Sequence, residues 1–445
     1  MKRLSCFWFF LLIQVDGMVA AQDTTRVSVM FIGDIMQHDT QIQSAFDVKT
    51  GKYNYDTCFR FIRKYFHAVD LTIGNLELTL GGRPYTGYPQ FSAPDELAWA
   101  LKRAGVDVLV TANNHSLDRR RKGLERTISV LDSAGILHTG TFRDTVERLN
   151  DYPLVVRLNG VSLALLNYTY GTNGIPVTKP NVVNLIDTAV ISRDLQKARQ
   201  LQPDAIVVFM HWGNEYQTQP GAAQKQLAEF CLKRGASIVV GAHPHVLQPM
   251  YWYKDQNKLV AYSLGNFISG QRDHPRDGAA SLLVEIIKVY HPDSVSVQLA
   301  DAKYLLHWVY RTPLPDRRFL VLPVPEFEND TTGLIADEAS RQAFRKFILA
   351  SRKLLTAGTN VPSEINQPFP DSLPRYRVVF RVPKNQSVTH EEIVSQYGRF
   401  GLDHHVLDEH TLVYETGNFR TLRQAASFAD RLRKQFTDVE IIPLY

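Results

Sequence analysis

Short apolar runs, each ending in a cluster of polar residues, set the limits on what this chain can fold into. Between residues 26 and 320 the runs are 27–32, 70–73, 106–110, 205–210, 237–240 and 259–263. They are rich in Val, Ile and Leu and only about five residues long, the length of a buried strand rather than a helix. Helical patterns lie between them. Leu124, Ile128 and Leu131 share one face at i, i+4 and i+7, as do Ala223, Leu227 and Phe230. Gly105, Gly135 and Gly235 stand where helix C-termini are expected. Such alternation predicts a layered α/β domain. Residues 280–289 and 294–299 read as successive strands with no helix between, so part of the sheet is expected to be antiparallel.

In open α/β sheets, ligands bind outside the carboxyl ends of the strands. Here those ends carry Gly33-Asp34, Gly74-Asn75-Leu76-Glu77, Asn113-Asn114-His115-Ser116-Leu117-Asp118, His211-Trp212-Gly213, Gly241-Ala242-His243-Pro244-His245 and Gly265-Asn266-Phe267. Taken singly, each is ordinary: an Asp after a strand is often a helix cap, and a Gly-Asn pair is usually a turn. Six in succession point to one site at one sheet edge. Carboxylates and an Asn carbonyl suit hard or borderline divalent ions, and imidazole suits Zn, Mn or Fe. One such ion polarises a phosphoryl oxygen; a second shares the charge of the attacking and leaving oxygens.

These motifs, together with His211-Trp212-Gly213-Asn214-Glu215-Tyr216 and Tyr262-Ser263-Leu264-Gly265-Asn266-Phe267, resemble the bacterial capsule-synthesis CapA family. That family includes poly-γ-glutamate capsule biosynthesis proteins and sits with the calcineurin-like metallophosphoesterases. The resemblance covers residues 26–310. It implies a four-layer α/β/β/α metallophosphoesterase-like sandwich with one or two divalent ions (Mn, Zn or Fe). It also implies that Asp34, Glu77, Asn114, His211, His243 and His245 are metal ligands, Glu77 bridging, and that His115 donates a proton to the leaving group. The chain departs from the superfamily at Met36, where Asp-x-His is usual; a thioether is a poor ligand for hard ions. The loop Tyr168-Thr169-Tyr170-Gly171-Thr172-Asn173-Gly174 reads either as a substrate contact or as an ordinary Gly-rich turn.

The 445 residues include 50 basic and 45 acidic side chains, a formal charge of +5. That is too weak over this length to argue for nucleic acid. Of the 14 histidines, only His115, His211, His243 and His245 fall in motifs; His38 and the His404-His405 pair are left without a role. Residues 1–21 have the form of a secretory signal peptide: Lys2-Arg3, an apolar stretch, then Val19-Ala20-Ala21. The mature chain is expected outside the cytoplasm, in the periplasm or cell envelope, with no integral membrane span. Cys58 and Cys231 then either pair or remain as two buried thiols.

Residues 22–320 are expected to form the first domain. Residues 321–375 are expected to be a helical segment (335–355) followed by a connection bearing Pro362, Pro368, Pro370 and Pro374. Residues 376–445 read as a small β-α-β-β-α-β C-terminal domain. Tyr376-Arg377-Val378-Val379 and the stretch from Gly417 to Ala425 resemble the SPOR domain, which implies peptidoglycan as a partner; a generic ferredoxin-like module is the other reading. Two functional readings follow from the sequence. One is an exported hydrolase that uses metal-activated water on an anionic polymer or phosphoester in capsule or cell-surface polymer synthesis. The other is a non-catalytic accessory to polymer export or assembly.

Overall fold

A computed structural model describes residues 23–314, 317–370, 375–385, 389, 392–393, 402–419 and 422–444. The expected signal peptide lies outside the described residues, as does most of the helix expected at 389–397. Four parallel strands come first: β1 (Asp23–Ile35), β2 (Leu71–Leu76), β3 (Val108–Val110) and β4 (Leu137–Thr139). A second sheet follows from β5 (Leu154–Leu158), β6 (Val161–Thr169), β7 (Ala205–His211), β8 (Ile238–Ala242), β9 (Met250–Tyr253) and β10 (Lys258–Ala261), in the order β9-β10-β8-β7-β6-β5. The chain then returns to the first sheet as antiparallel β11 (Gly278–Tyr290), β12 (Val295–Arg311) and β13 (Phe319–Pro323), completing the path β13-β12-β11-β1-β2-β3-β4.

The sides of the sheets explain the sequence pattern. Val29, Phe31, Ile73 and Val110 from the first sheet meet Leu163, Val207, Phe209 and Val240 from the second in one buried core. Met30, Ile32 and Leu109, on the opposite side of the first sheet, pack under α1 (Glu96–Ala104) and α2 (Arg120–Ala134) through Leu97, Leu101 and Leu131. Leu166, Val208 and Val239 do the same under α3 (Thr188–Gln200) and α4 (Ala222–Lys233). The fold is therefore helix, sheet, sheet, helix. Strands buried on both sides read as continuous apolar runs, as the sequence shows. Gly105 and Gly135 end α1 and α2 in the left-handed conformation, at φ 103° and 65°, which favours glycine.

The stretch 321–375 is more than a connection. Its helix α5 (Glu338–Leu355) buries Phe344, Phe347, Ile348 and Leu355 in the core between the sheets. Ser363 and Glu364 then pair in parallel with β12, and Phe369 lies against Tyr65 with ring centres 4.8 Å apart. Beyond it, a four-stranded antiparallel sheet carries Arg375–Pro383 at its centre, with Leu402–Val406 and Thr411–Phe419 joined as a hairpin and Val439–Leu444 on the other side. Its own core holds Phe380, Tyr414, Phe428, Leu432 and Phe436. Arg431 ties this module to the first sheet: its Nη2 donates to Thr25 Oγ1 at 2.7 Å and its guanidinium lies 4.9 Å from the Tyr290 ring centre. Among the described residues no helix is long and apolar enough to cross a membrane.

Candidate metal centre

The carboxyl ends of both sheets converge at one edge. Asp34 stands near the end of β1 and His211 at the end of β7, while Glu77 directly follows β2. The loop after β3 carries Asn114 and His115, and the turn after β8 carries His243 and His245. Two glycines let the sheets close. The Asp34 N–H donates to Gly265 O at 2.9 Å, and a Cβ on Gly33 would sit 2.0 Å from that same oxygen. A Cβ on Gly241 would sit 1.9 Å from Tyr262 O. Asn113 fastens the third strand end to the second, its Nδ2 donating to Leu76 O at 2.7 Å and its Oδ1 accepting from the His115 N–H at 3.0 Å.

All seven sequence-predicted site residues are brought together, and none is more than 4% exposed. Glu77 Oε1 lies 3.4 Å from His211 Nε2 and 3.6 Å from His245 Nε2. Asn114 Oδ1 lies 2.8 Å from His211 Nε2. Asp34 Oδ2 accepts from the His243 N–H at 3.3 Å and lies 3.1 Å from His245 Nδ1. That nitrogen also faces Asn266 Oδ1 at 3.1 Å, so in the neutral ring it carries the proton and Nε2 offers the lone pair. Both non-glycine turn residues, His243 (φ 95°) and His245 (φ 58°), hold the left-handed conformation, a strain of about 1–3 kcal/mol each that gathers at functional sites.

The electrostatics are those of a site short of positive charge. Burial and the neighbouring Asp34 push the Glu77 carboxyl well above its ordinary range. Burial holds His211 well below 6.5 and His243 down at about 4. Both Glu77 carboxylate oxygens and His243 Nδ1 are buried without a hydrogen-bond partner. Buried polar atoms of this kind are rare unless something is meant to occupy the space between them. One potential ligand atom from each of Glu77, His243 and His245 lies within 4.8 Å of the others, and the same holds for Asp34, Glu77 and His211. The donor set fits a divalent cation.

Met36 does not join the cluster. Its side chain is packed in the apolar layer under the first sheet and offers the cluster no ligand. The Tyr168–Gly174 loop does reach the site. Tyr170 lies 4.6 Å from the His243 ring centre and parallel to His211, and Asn173 Oδ1 accepts from Asn114 Nδ2 at 3.2 Å. Sequence reading missed three participants. Asn75 Nδ2 donates to Asp34 Oδ1 at 2.8 Å; Asp118 accepts from His115 Nδ1 at 2.7 Å; His38, set aside above, sits beside Phe91, which in turn packs on His115. Asn75 and Asp118 stand inside the quoted motifs, which was the available signal; His38 stands outside them.

The family description "Bacterial capsule synthesis protein PGA_cap" matches residues 28–271, more than half of the chain and every strand end described above. The chain belongs to this family. Within it, the capsule biosynthesis protein CapA of Bacillus anthracis is 32% identical over 268 residues, covering 57% of this chain and 62% of that protein. The PGA biosynthesis protein CapA of Bacillus subtilis (strain 168) is 29% identical over 258 residues, covering 55% and 64%. The family member described here thus spans just over three-fifths of these relatives. Among solved structures, the NAD nucleotidase of Haemophilus influenzae aligns over 94% of this chain and 95% of its own, at 10% identity and a TM-score of 0.39. A likeness that low carries no weight for the fold, which rests on the sheet order and the layers.

Proposed function

We propose that this family member is exported and acts in the synthesis of a capsule or other cell-surface polymer, as a metal-dependent hydrolase of an anionic polymer or phosphoester. One observation carries the reading: the Glu77 carboxylate is fully buried beside Asp34, both its oxygens lack a hydrogen-bond partner, and Oε1 faces the Nε2 atoms of His211 and His245. Two buried carboxylates side by side are costly unless a cation lies between them. Asp34, Glu77, Asn114, His211, His243 and His245 are the groups that would hold Mn, Zn or Fe. An ion held there supplies a Lewis acid for an ester or amide oxygen and lowers the pKa of water. The chain's own part is protonation: the Asp118 carboxylate accepts a hydrogen bond from His115 Nδ1–H and aims the ring, so that Nε2 is the atom that hands a proton to the leaving group.

Metal analysis of the purified full chain, wild type against Glu77→Gln, tests the centre. Hydrolysis of a phosphoester and γ-glutamyl peptide panel, wild type against His115→Ala, tests the chemistry. Hydrolysis lost in His115→Ala with metal retained is the expected result; a metal-loaded wild type inactive on the whole panel overturns the hydrolase reading.

Met36 favours a second reading. With that side chain in the apolar layer, one metal position lacks an imidazole, and the protein then serves polymer export or assembly without catalysis. Complementation of a deletion strain by a His243→Ala, His245→Ala chain would select it. In either case the C-terminal module is proposed to hold the protein on peptidoglycan; retention of the full chain on glycan-rich sacculi, lost on removal of 376–445, is the test.

A further inference from the structure

His38 belongs to none of the motifs, yet the structure fixes its chemistry. It lies four residues past Asp34 and opens the helix Asp39–Ala45. The Gly270 N–H donates to its Nδ1 at 3.1 Å. That donor is a backbone amide, so the direction of the bond is certain and Nδ1 must be the acceptor. The closeness is built in: a Cβ on Gly270 would sit 2.6 Å from His38 Cβ and 3.1 Å from Nδ1, so only glycine fits there. In the neutral ring the proton is therefore on Nε2. Burial pushes the imidazole down to about 4, against the opposing pull of the Gln41 side chain and with the nearby His245 and His115 rings adding to the lowering, so the ring is neutral under ordinary conditions.

The placement completes the picture. The His38 ring meets Phe91 edge-on at 5.4 Å, and Phe91 meets His115 edge-on at 4.6 Å. One phenyl ring thus separates two imidazoles of opposite polarity. His115 donates a hydrogen bond from Nδ1–H to Asp118, whereas His38 accepts one at Nδ1 from the Gly270 N–H. A ring whose Nδ1 accepts and whose Nε2 bears hydrogen has no lone pair left for a metal. His38 is thereby no substitute for the imidazole missing at Met36.

We infer that His38 is a substrate-binding residue, presenting its Nε2–H as a fixed hydrogen-bond donor to an anionic oxygen of the substrate at the mouth of the metal centre. This rests on the reading of that centre as one that takes phosphate-like or carboxylate oxyanions. It also names the substrate class more closely: an oxyanion with one oxygen at the Nε2 edge of the His38 ring, away from Gly270.

Calorimetric titration of inorganic phosphate into the zinc-loaded full chain tests the inference. His38→Asn keeps an oxygen where Nδ1 accepts from Gly270 but removes the outer donor. His38→Gln places an amide N–H near the Nε2 position. The expected result is phosphate binding weakened roughly tenfold in His38→Asn, as for a lost hydrogen bond to a charged acceptor. His38→Gln should stay within about threefold of wild type, and zinc content should be unchanged in both. Equal affinity in His38→Asn and wild type overturns the inference. So does equal loss in both variants, the mark of a structural role, or loss of zinc in His38→Asn, the mark of a ligand. A wild-type chain that holds zinc but no phosphate overturns the inference together with the oxyanion reading. A wild-type chain that holds no zinc sinks the metal reading separately; nitrogen-15 NMR of the metal-free chain then decides His38 alone, and a proton on Nδ1 overturns it.

Discussion

His115 Nδ1 lies 2.7 Å from Asp118 Oδ2, and the same carboxylate oxygen accepts the Phe91 N–H at 2.7 Å. The carboxylate is thus anchored from a second segment before it touches the ring, and it sets which way Nε2 points. Asp118→Asn keeps the shape but replaces an acceptor oxygen with an amide. On the hydrolase reading, kcat should fall about 10–100-fold with KM and metal content near wild type, a part of the 10²–10⁴ that a positioned acid contributes. Steady-state kinetics with metal analysis on the same preparations checks it. A fall in metal content matching the fall in kcat would mean that Asp118 holds the loop rather than the proton.

Glu77 is a costly place for a charge when no cation is bound. Burial first, then Asp34, raises its pKa above the ordinary 4.5. A carboxyl raised on folding contributes stability below the unfolded value, which is lost as pH rises through the folded one. At neutral pH the metal-free protein therefore carries a penalty that Glu77→Gln removes. Thermal melts with chelator should place Glu77→Gln above wild type. With zinc at a thousandfold its Kd the order should reverse, because wild type gains about 4 kcal/mol that the variant cannot. Melts that rank the two alike with and without metal would count against Glu77 as a ligand.

His307 predicts the acid limb. It is fully buried on β12, with neither ring nitrogen hydrogen-bonded and the Phe267 ring 5.2 Å away. Burial pulls its pKa down to about 3. A base lowered on folding contributes stability above the unfolded value of 6.5, and this is lost as pH falls from there toward 3. Each pH unit below 6.5 costs about 1.4 kcal/mol. Urea unfolding at pH 7 and pH 5 should show wild type losing about 2 kcal/mol more than His307→Phe between the two. Comparing each protein with itself cancels the packing cost of the larger ring. Equal losses would show that His307 is not what acid attacks.

The strand ends were legible because each part of the pattern has a local cause. Apolar runs without alternation mean strands covered on both sides, and polar residues just past them must face the sheet edge. Other features depend on distance. His38 lies outside the motifs, and only the approach of Gly270, 232 residues on, gives it a defined tautomer. Asn75 was visible as a turn residue, but its bond to Asp34 needs β1 and β2 side by side. The prolines of 362–374 suggested a connection because a two-residue strand such as Ser363–Glu364 has no periodicity to read.

The two cysteines show the same limit and yield the last prediction. Sequence left Cys58 and Cys231 open between a disulfide and two thiols. Cys58 is buried in the helical layer under the first sheet, Cys231 in the layer under the second, and both are free. Two sheets stand between them, packed about 10 Å apart, and a disulfide needs Cα atoms within roughly 7 Å. Burial pushes both thiols up to about 12, so little thiolate exists at neutral pH. An aromatic disulfide reagent should therefore label Cys58 and Cys231 slowly in the native chain from which residues 1–21 have been removed with Cys6, and both quickly in denaturant, and a reductant should leave the melting temperature unchanged. A melt shifted downward by reductant would mean that the two cysteines are bonded and that the outer layers are not arranged as described.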